Sequence, residues 1–418
     1  MTEQKHLKAR IRARMARTGE RYSVARRHVV GDAERPGTDH GWTLRGGLHP
    51  DTAAVAHVLA RRGVELSEAM VLGLGGGLGA GYILWEFAAH DTTHLTLGFR
   101  HRWNYLDWTD RVLDRLGAEY RVHTTAGAKG AAAALDAALA AGEPAIVVPD
   151  RHLVGYWQLP AHLEAHGGHS VVAYAATEAG IRLDDRNTRP LTVPADVLHR
   201  ARARVSSYRN RMVVVEGATA PEKLADLVGE AVRQCAEQLG GTSTSFAIPA
   251  WQKWAKLLTD RRNAKGWPTV FADGRGLATA LLTVWEAVEP VGMTGGHLRG
   301  LYADFLDEAT PLLGERAAEA AEAFRESGRR WHAFADAALP ADVPEYARLR
   351  DLEAAVAEGV ALGDDGAGLR ADAAAELWAL RAELDRRPPV APDLGALAER
   401  LRAVHAAEAD AVRVLGTL

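Results

Sequence analysis

Three stretches of this 418-residue chain hold residue types that could do chemistry. The first is the glycine run Gly73-Leu74-Gly75-Gly76-Gly77-Leu78, part of which, from Gly75 to Ala80, formally fits the G-x-G-x-x-A pattern of dinucleotide sites. That chemistry needs an acidic residue further on to hold a ribose, and the sequence there reads LTLGFRH. The Lys-Ser/Thr pair of a phosphate loop is missing as well, so the glycines read as a tight backbone turn beside a cleft. The second stretch, HLEAHGGH over 162–169, spaces its histidines by four and then three, but its two glycines make it a loop rather than a preorganised helix face, and no metal site is expected. The third, VGMTGGHLRG over 291–300, turns through Gly292, Gly295 and Gly296 into the helical pattern LYADFLDEA. A helix start attracts anions, and Arg299 could add a bidentate contact to a phosphate or carboxylate, or else pair with Asp304 or Glu308.

Composition narrows the setting. A single cysteine, Cys235, excludes an intrachain disulfide and a cysteine-rich zinc site, and in EAVRQCAEQL it reads as a small apolar helix residue. No run approaches the roughly 18 to 20 apolar residues of a membrane span, and the start lacks the apolar core of a signal peptide. The expectation is a cytoplasmic protein without membrane contact and without a cofactor. Residues 1–30 carry nine Lys or Arg against Glu3 and Glu20, a net +7 in a chain of net −4. Such an arm suits a polyanionic partner, nucleic acid or an acidic carrier protein, or folds back on the chain's own acidic surface. Its segment MARTGERYSVARRH resembles a short motif of many actinobacterial proteins.

Periodicity supplies the elements that would position these residues. A charged helix is expected over 4–18, a linker over 31–42, and a helix from about 51 to 62 with Asp51 or Thr52 near its start and Gly63 as its stop. Strand patterns follow at 94–99, 118–125, 145–150, 169–176 and 180–185, with helical patterns at 104–117 and 128–141. Beyond MVVVEG (212–217) only three- and four-residue apolar spacing remains. The expected fold is therefore α+β, then all-α, divided as 1–40 (basic helix and linker), 41–217 (α+β domain), 218–340 (all-α domain) and 341–418 (helical hairpin or bundle).

The segment 46–85 joins a glycine lead, His49-Pro50 at a helix start, Leu66-Ser67-Glu68, and the glycine run. This ordered combination resembles the amino-terminal domain of the butirosin biosynthesis protein H family, whose pattern has a His-Cys pair where this chain has His49-Pro50. The resemblance continues through GGHSVVAYAATEAGIRLDDRN (167–187), and WQKWAKLLTD with VGMTGGHLRGLYADFLDEA is similar to the helical domain that usually follows. It implies a papain-like, cysteine-protease-like fold and transfer of an acyl or aminoacyl group from a carrier-protein thioester to a small-molecule amine. It also implies roles: His169 as acid/base, Asp184 or Asp185 as its orienter, and Pro50 at the former nucleophile position. Thr52, Gly75 and Gly76 stand where substrate contacts would lie, while His49 could contact substrate or cap the turn and Glu68 could face the cleft or order the glycine turn through backbone N–H groups. Taken alone, His169 beside Gly167 and Gly168 reads as an ordinary hydrogen-bonded residue.

A cysteine at a helix start gains thiolate character from the unpaired N–H groups there. Pro50 cannot attack a thioester, yet it suits the first helical turn because the N–H it lacks has no intrahelical partner. Thr52 or Ser67 would need an adjacent base to substitute. Direct attack by an amine, with His169 as general base, needs no covalent intermediate. A homologue that only binds or scaffolds such ligands is the other reading.

Overall fold

The computed structural model describes residues 37–85, 93–101, 105–386, 388–390 and 392–418. The basic segment 1–30 and the helix expected over 4–18 lie outside them. In chain order the strands are β1 (Gly37–Asp39), β2 (Trp42–Leu44), β3 (Leu78–Trp85), β4 (His94–Arg100), β5 (Glu119–His123), β6 (Ala145–Val147), β7 (Val171–Thr177), β8 (Gly180–Asp184), β9 (Leu191–Val193) and β10 (Met212–Gly217). The helices are α1 (Pro50–Arg61), α2 (Glu68–Leu74), α3 (Tyr105–Arg115), α4 (Ala128–Ala140), α5 (Ala195–Arg204), α6 (Leu224–Leu239), α7 (Pro249–Leu257), α8 (Trp267–Val270), α9 (Leu277–Val288), α10 (Arg299–Leu313), α11 (Arg316–Ala338), α12 (Pro344–Ala361), α13 (Ala367–Arg386) and α14 (Leu394–Leu415). Among the described residues no strand follows Gly217, so the fold is α+β with a helical carboxy-terminal region.

The chain forms two compact units that interleave in sequence. One holds residues up to Val71, Thr109–Pro221 and Leu352–Glu376; the other holds Leu72–Trp108, Glu222–Asp351 and Leu377–Leu418. The first unit is built on an antiparallel sheet of order β5-β10-β6-β7-β8-β9. Helices α1 and α4 pack on β6 and β7, whose leading residues are buried on both faces, which is why they read as continuous apolar runs rather than alternating ones. Part of the expected linker is instead the hairpin β1–β2. His40 and Gly41 both take positive φ at its tip, as a two-residue turn between twisted strands requires. The 352–376 segment joins this unit through Asp364, which accepts the Thr192 N–H at 2.8 Å and an Arg182 nitrogen at 2.9 Å.

The second unit surrounds a hairpin of β3 and β4 with α6, α7 and α9, while α11 packs against α10 and α14. Strand β3 begins at Leu78, the last residue of the glycine run, where periodicity marks no strand. At its centre is a buried carboxylate, Glu408. It accepts Trp251 Nε1 at 2.8 Å, Trp331 Nε1 at 2.6 Å, Ser327 Oγ at 3.3 Å and Arg299 Nε at 2.7 Å. Removing one partner of a buried ion pair leaves the other charge without compensation. Glu408→Ala should therefore cost about 3–5 kcal/mol in chemical denaturation, whereas an exposed change such as Glu399→Ala should leave the midpoint in place.

Candidate functional site

Asp184 ends β8 and Asp185 follows it, and the two neighbouring carboxylates turn to opposite sides, as successive residues of extended chain do. Asp185 turns to one side and meets His169, with Nε2 at 2.7 Å from Oδ2. The same oxygen accepts Tyr156 Oη at 2.9 Å and Trp157 Nε1 at 2.8 Å. Its other oxygen faces the Arg186 guanidinium, with Nε at 3.0 Å and Nη2 at 2.9 Å. Asp185 and His169 are both buried. Burial by itself would raise the Asp185 carboxyl; the positive charge that His169 carries when protonated, the Arg186 charge, and hydrogen bonds from His169 and Trp157 outweigh it and hold the group well below the usual carboxylate range. The same surroundings, burial first and the Asp185 charge next, push the Tyr156 hydroxyl well above its ordinary value, so it stays a donor.

Asp184 turns the other way, and so does not orient His169. Its Oδ2 accepts Trp42 Nε1 at 2.8 Å and lies 2.8 Å from His57 Nδ1, on α1. His169 itself stands two residues before β7 rather than on it, and its N–H donates to the Pro149 carbonyl at 2.9 Å. The loop between β6 and β7 is shaped by Asp150, which accepts the N–H groups of His152 at 3.1 Å, Leu153 at 2.8 Å and Ala165 at 2.7 Å. That loop delivers Tyr156 and Trp157, and the Trp157 ring stands edge-on to His169 at 6.1 Å.

Pro50 is the first residue of α1, with His49 as the capping position. Glu68, from the start of α2, closes this end. Its carboxylate accepts the N–H groups of Leu48 at 2.8 Å and His49 at 2.7 Å and the Thr52 hydroxyl at 2.7 Å. Thr52 is fully buried and its Oγ also lies 3.1 Å from the His49 carbonyl oxygen, so its hydroxyl serves the turn. Ser67 Oγ accepts the Met70 N–H at 2.9 Å and caps α2. Arg186 links the two halves of the site, because Nη1 donates to the Leu48 carbonyl oxygen at 2.8 Å while the rest of the guanidinium holds Asp185. It can pass there because residue 47 is glycine: a Cβ at Gly47, φ +150°, would stand 3.0 Å from Arg186 Cγ and 2.7 Å from Ala53 Cβ.

Two further candidates take other places. Gly75 and Gly76 belong to the helical unit, where the volumes of their missing side chains are filled by Trp108 and His101; the turn they make joins α2 to β3. Arg299 is fully buried in the same unit, bound to Glu408, to the His297 carbonyl at 2.8 Å and to the Gly79 carbonyl at 3.1 Å. It holds a core together and pairs with neither Asp304 nor Glu308. Cys235 is buried too, and burial pushes its thiol up to about 11. Among the described residues no group of three or more His, Cys, Asp or Glu is placed to hold a metal ion. Sequence reasoning missed Tyr156, Trp157, Arg186, His57 and Trp42, whose only signal was an aromatic pair in VGYWQLP and a cation after the two aspartates.

Residues 49–186 match the amino-terminal domain of butirosin biosynthesis protein H, and residues 196–362 match a domain of unknown function, DUF4872. The chain belongs to the butirosin biosynthesis protein H family. No curated protein matches it. The family match begins at His49 and ends at Arg186, so it takes in both the helix start and the Asp185 cluster.

The second pair, His57 and Asp184, makes stability depend on pH. Burial would lower the His57 pKa, but the Asp184 carboxylate, with Glu68, outweighs it, and the value is raised above the ordinary 6.5. A raised histidine stabilises fully below its unfolded pKa, and the gain is lost as pH rises through the folded one. The melting temperature should fall on going from about pH 6 to about pH 8, with a shallower slope in His57→Gln. Equal slopes would show that the pair carries no charge.

Proposed function

We propose that this site passes an acyl or aminoacyl group from a carrier-protein thioester directly to an amine of a small molecule, in biosynthesis, with His169 as general base and no covalent protein intermediate. The single observation that carries the reading is the His169–Asp185 contact at 2.7 Å. A carboxylate held ionised accepts only an N–H, so Nε2 bears a proton, and in the neutral ring Nδ1 then keeps its lone pair. That is the atom that can take a proton. The family's name supplies the biosynthetic setting, and the family match supports an acyltransferase-like class.

The step balances without a nucleophile at position 50. The amine nitrogen attacks the thioester carbonyl carbon, its proton passes to His169 Nδ1, and the C–N bond forms as the C–S bond breaks. The thiolate then takes the proton back from Nδ1 and leaves as a thiol. Holding both reactants beside the base supplies the proximity that a covalent intermediate would otherwise provide. A second reading, ligand binding without turnover, is favoured by Pro50 itself. It lacks a nucleophile and also the backbone N–H that, at a catalytic residue, steadies a developing oxyanion.

Acyl transfer from a panel of carrier-protein thioesters to amine acceptors separates the two. Wild-type turnover, falling by 10²-fold or more in His169→Ala, is the expected outcome. No wild-type turnover, with activity or a trapped acyl adduct appearing only in Pro50→Cys, would overturn direct transfer in favour of binding.

A further inference from the structure

Arg186 adopts a backbone conformation that L residues reach only at a cost, φ +62°, and its neighbours enforce it. Its N–H donates to Asp184 Oδ1 at 3.0 Å, and Asn187 closes the turn by accepting the Asp185 N–H at 2.7 Å and donating to the Arg189 carbonyl at 2.7 Å. Strain of this kind persists where the surroundings overdetermine it, and here it places a guanidinium on Asp185 Oδ1. The side chains of both partners are nearly out of water, 9% exposed for Arg186 and 0% for Asp185.

Charge balance then selects the state of the imidazole. A buried carboxylate facing a histidine alone would be balanced by an imidazolium, which is a base already used up. With Arg186 in place the carboxylate is balanced already, and an added proton on His169 would leave a net buried positive charge. In a cysteine site a thiolate would compensate that charge, and Pro50 provides none. We infer that Arg186 is a positioning residue of this site: it keeps His169 an uncharged base through Asp185, and fixes that base relative to the start of α1 through the Leu48 carbonyl. Of the other titratable groups nearby, Asp150 is bound to its loop, Asp184 to His57 and Trp42, Glu68 to the start of α1, and Tyr156 to Asp185; Tyr208 accepts the Gly168 N–H at 3.2 Å, Arg370 donates to the Gly359 carbonyl at 3.0 Å, the Arg151 guanidinium lies beside Gly167, and His49 and Asp51 lie buried at the helix start. The two arginines add positive charge on the same side of the balance as Arg186.

The inference rests on the reading of His169 as the base, so its test is made without turnover. In protein labelled with ¹⁵N-histidine, the His169 signals are assigned by their loss in His169→Gln and followed with pH. Wild type should show the neutral ring protonated on Nε2 at about pH 7.5. Arg186→Gln should move the midpoint upward by about one pH unit or more, and Arg186→Lys, which keeps the charge, should move it by less than half as much. Equal midpoints in all three, or a charged wild-type ring at that pH, would overturn the inference. The wild-type signal decides alone if Arg186→Gln does not fold. Failure of acyl transfer would count against the proposed reaction and would leave these midpoints where they are.

Discussion

The carboxylate of Asp185 is the interaction on which the site depends. A charge so far from water is tolerable only when donors surround it, and His169, Tyr156, Trp157 and Arg186 together provide them. The donors arrive on three pieces of chain, His169 ahead of β7, Tyr156 and Trp157 on the Asp150 loop and Arg186 in the turn after β8, so one requirement governs several. The pairing of β7 with β8, the Asp150-shaped loop, and the turn through Arg186 must all close before the carboxylate is satisfied. Tethering His169 by Nε2 follows from meeting that requirement.

The neighbouring Asp184 shows how one strand end serves two purposes. With His57 and Trp42 it ties β8 to α1 and to the β1–β2 hairpin, and Asp39 in that hairpin accepts the Tyr174 hydroxyl at 2.7 Å. The helix that starts at Pro50 is thus gripped along its length by His57 and at its beginning by Glu68 and Arg186. The head of α1 is held firmly although Pro50 brings no reactive group to it.

Much of this was legible in the sequence, and what was not has physical causes. The α1 span followed from Pro, Asp and Gly at its ends, and most strands followed from β-branched runs. The choice between Asp184 and Asp185 is not legible in the sequence because it depends on which way each side chain turns where β8 ends. Arg299 looked like an anion contact because helix starts attract anions; its partner, Glu408, lies 109 residues away and leaves no local trace. Strand β3 is hidden by glycines within it, Gly79 and Gly81, the first of which serves close pairing: a Cβ there would collide with the Arg100 carbonyl oxygen. The order of the two units could not be read either, since residues 72–108 and 352–376 join units through contacts distant in sequence.

The most direct test of the central claim, that a tethered base works here without a nucleophile, is intact-protein mass spectrometry during reaction with an acyl-carrier thioester and an amine. The account predicts that amide product accumulates while the chain keeps its unmodified mass at every time point. A chain carrying the acyl group, formed and discharged at the rate of product formation, would contradict it.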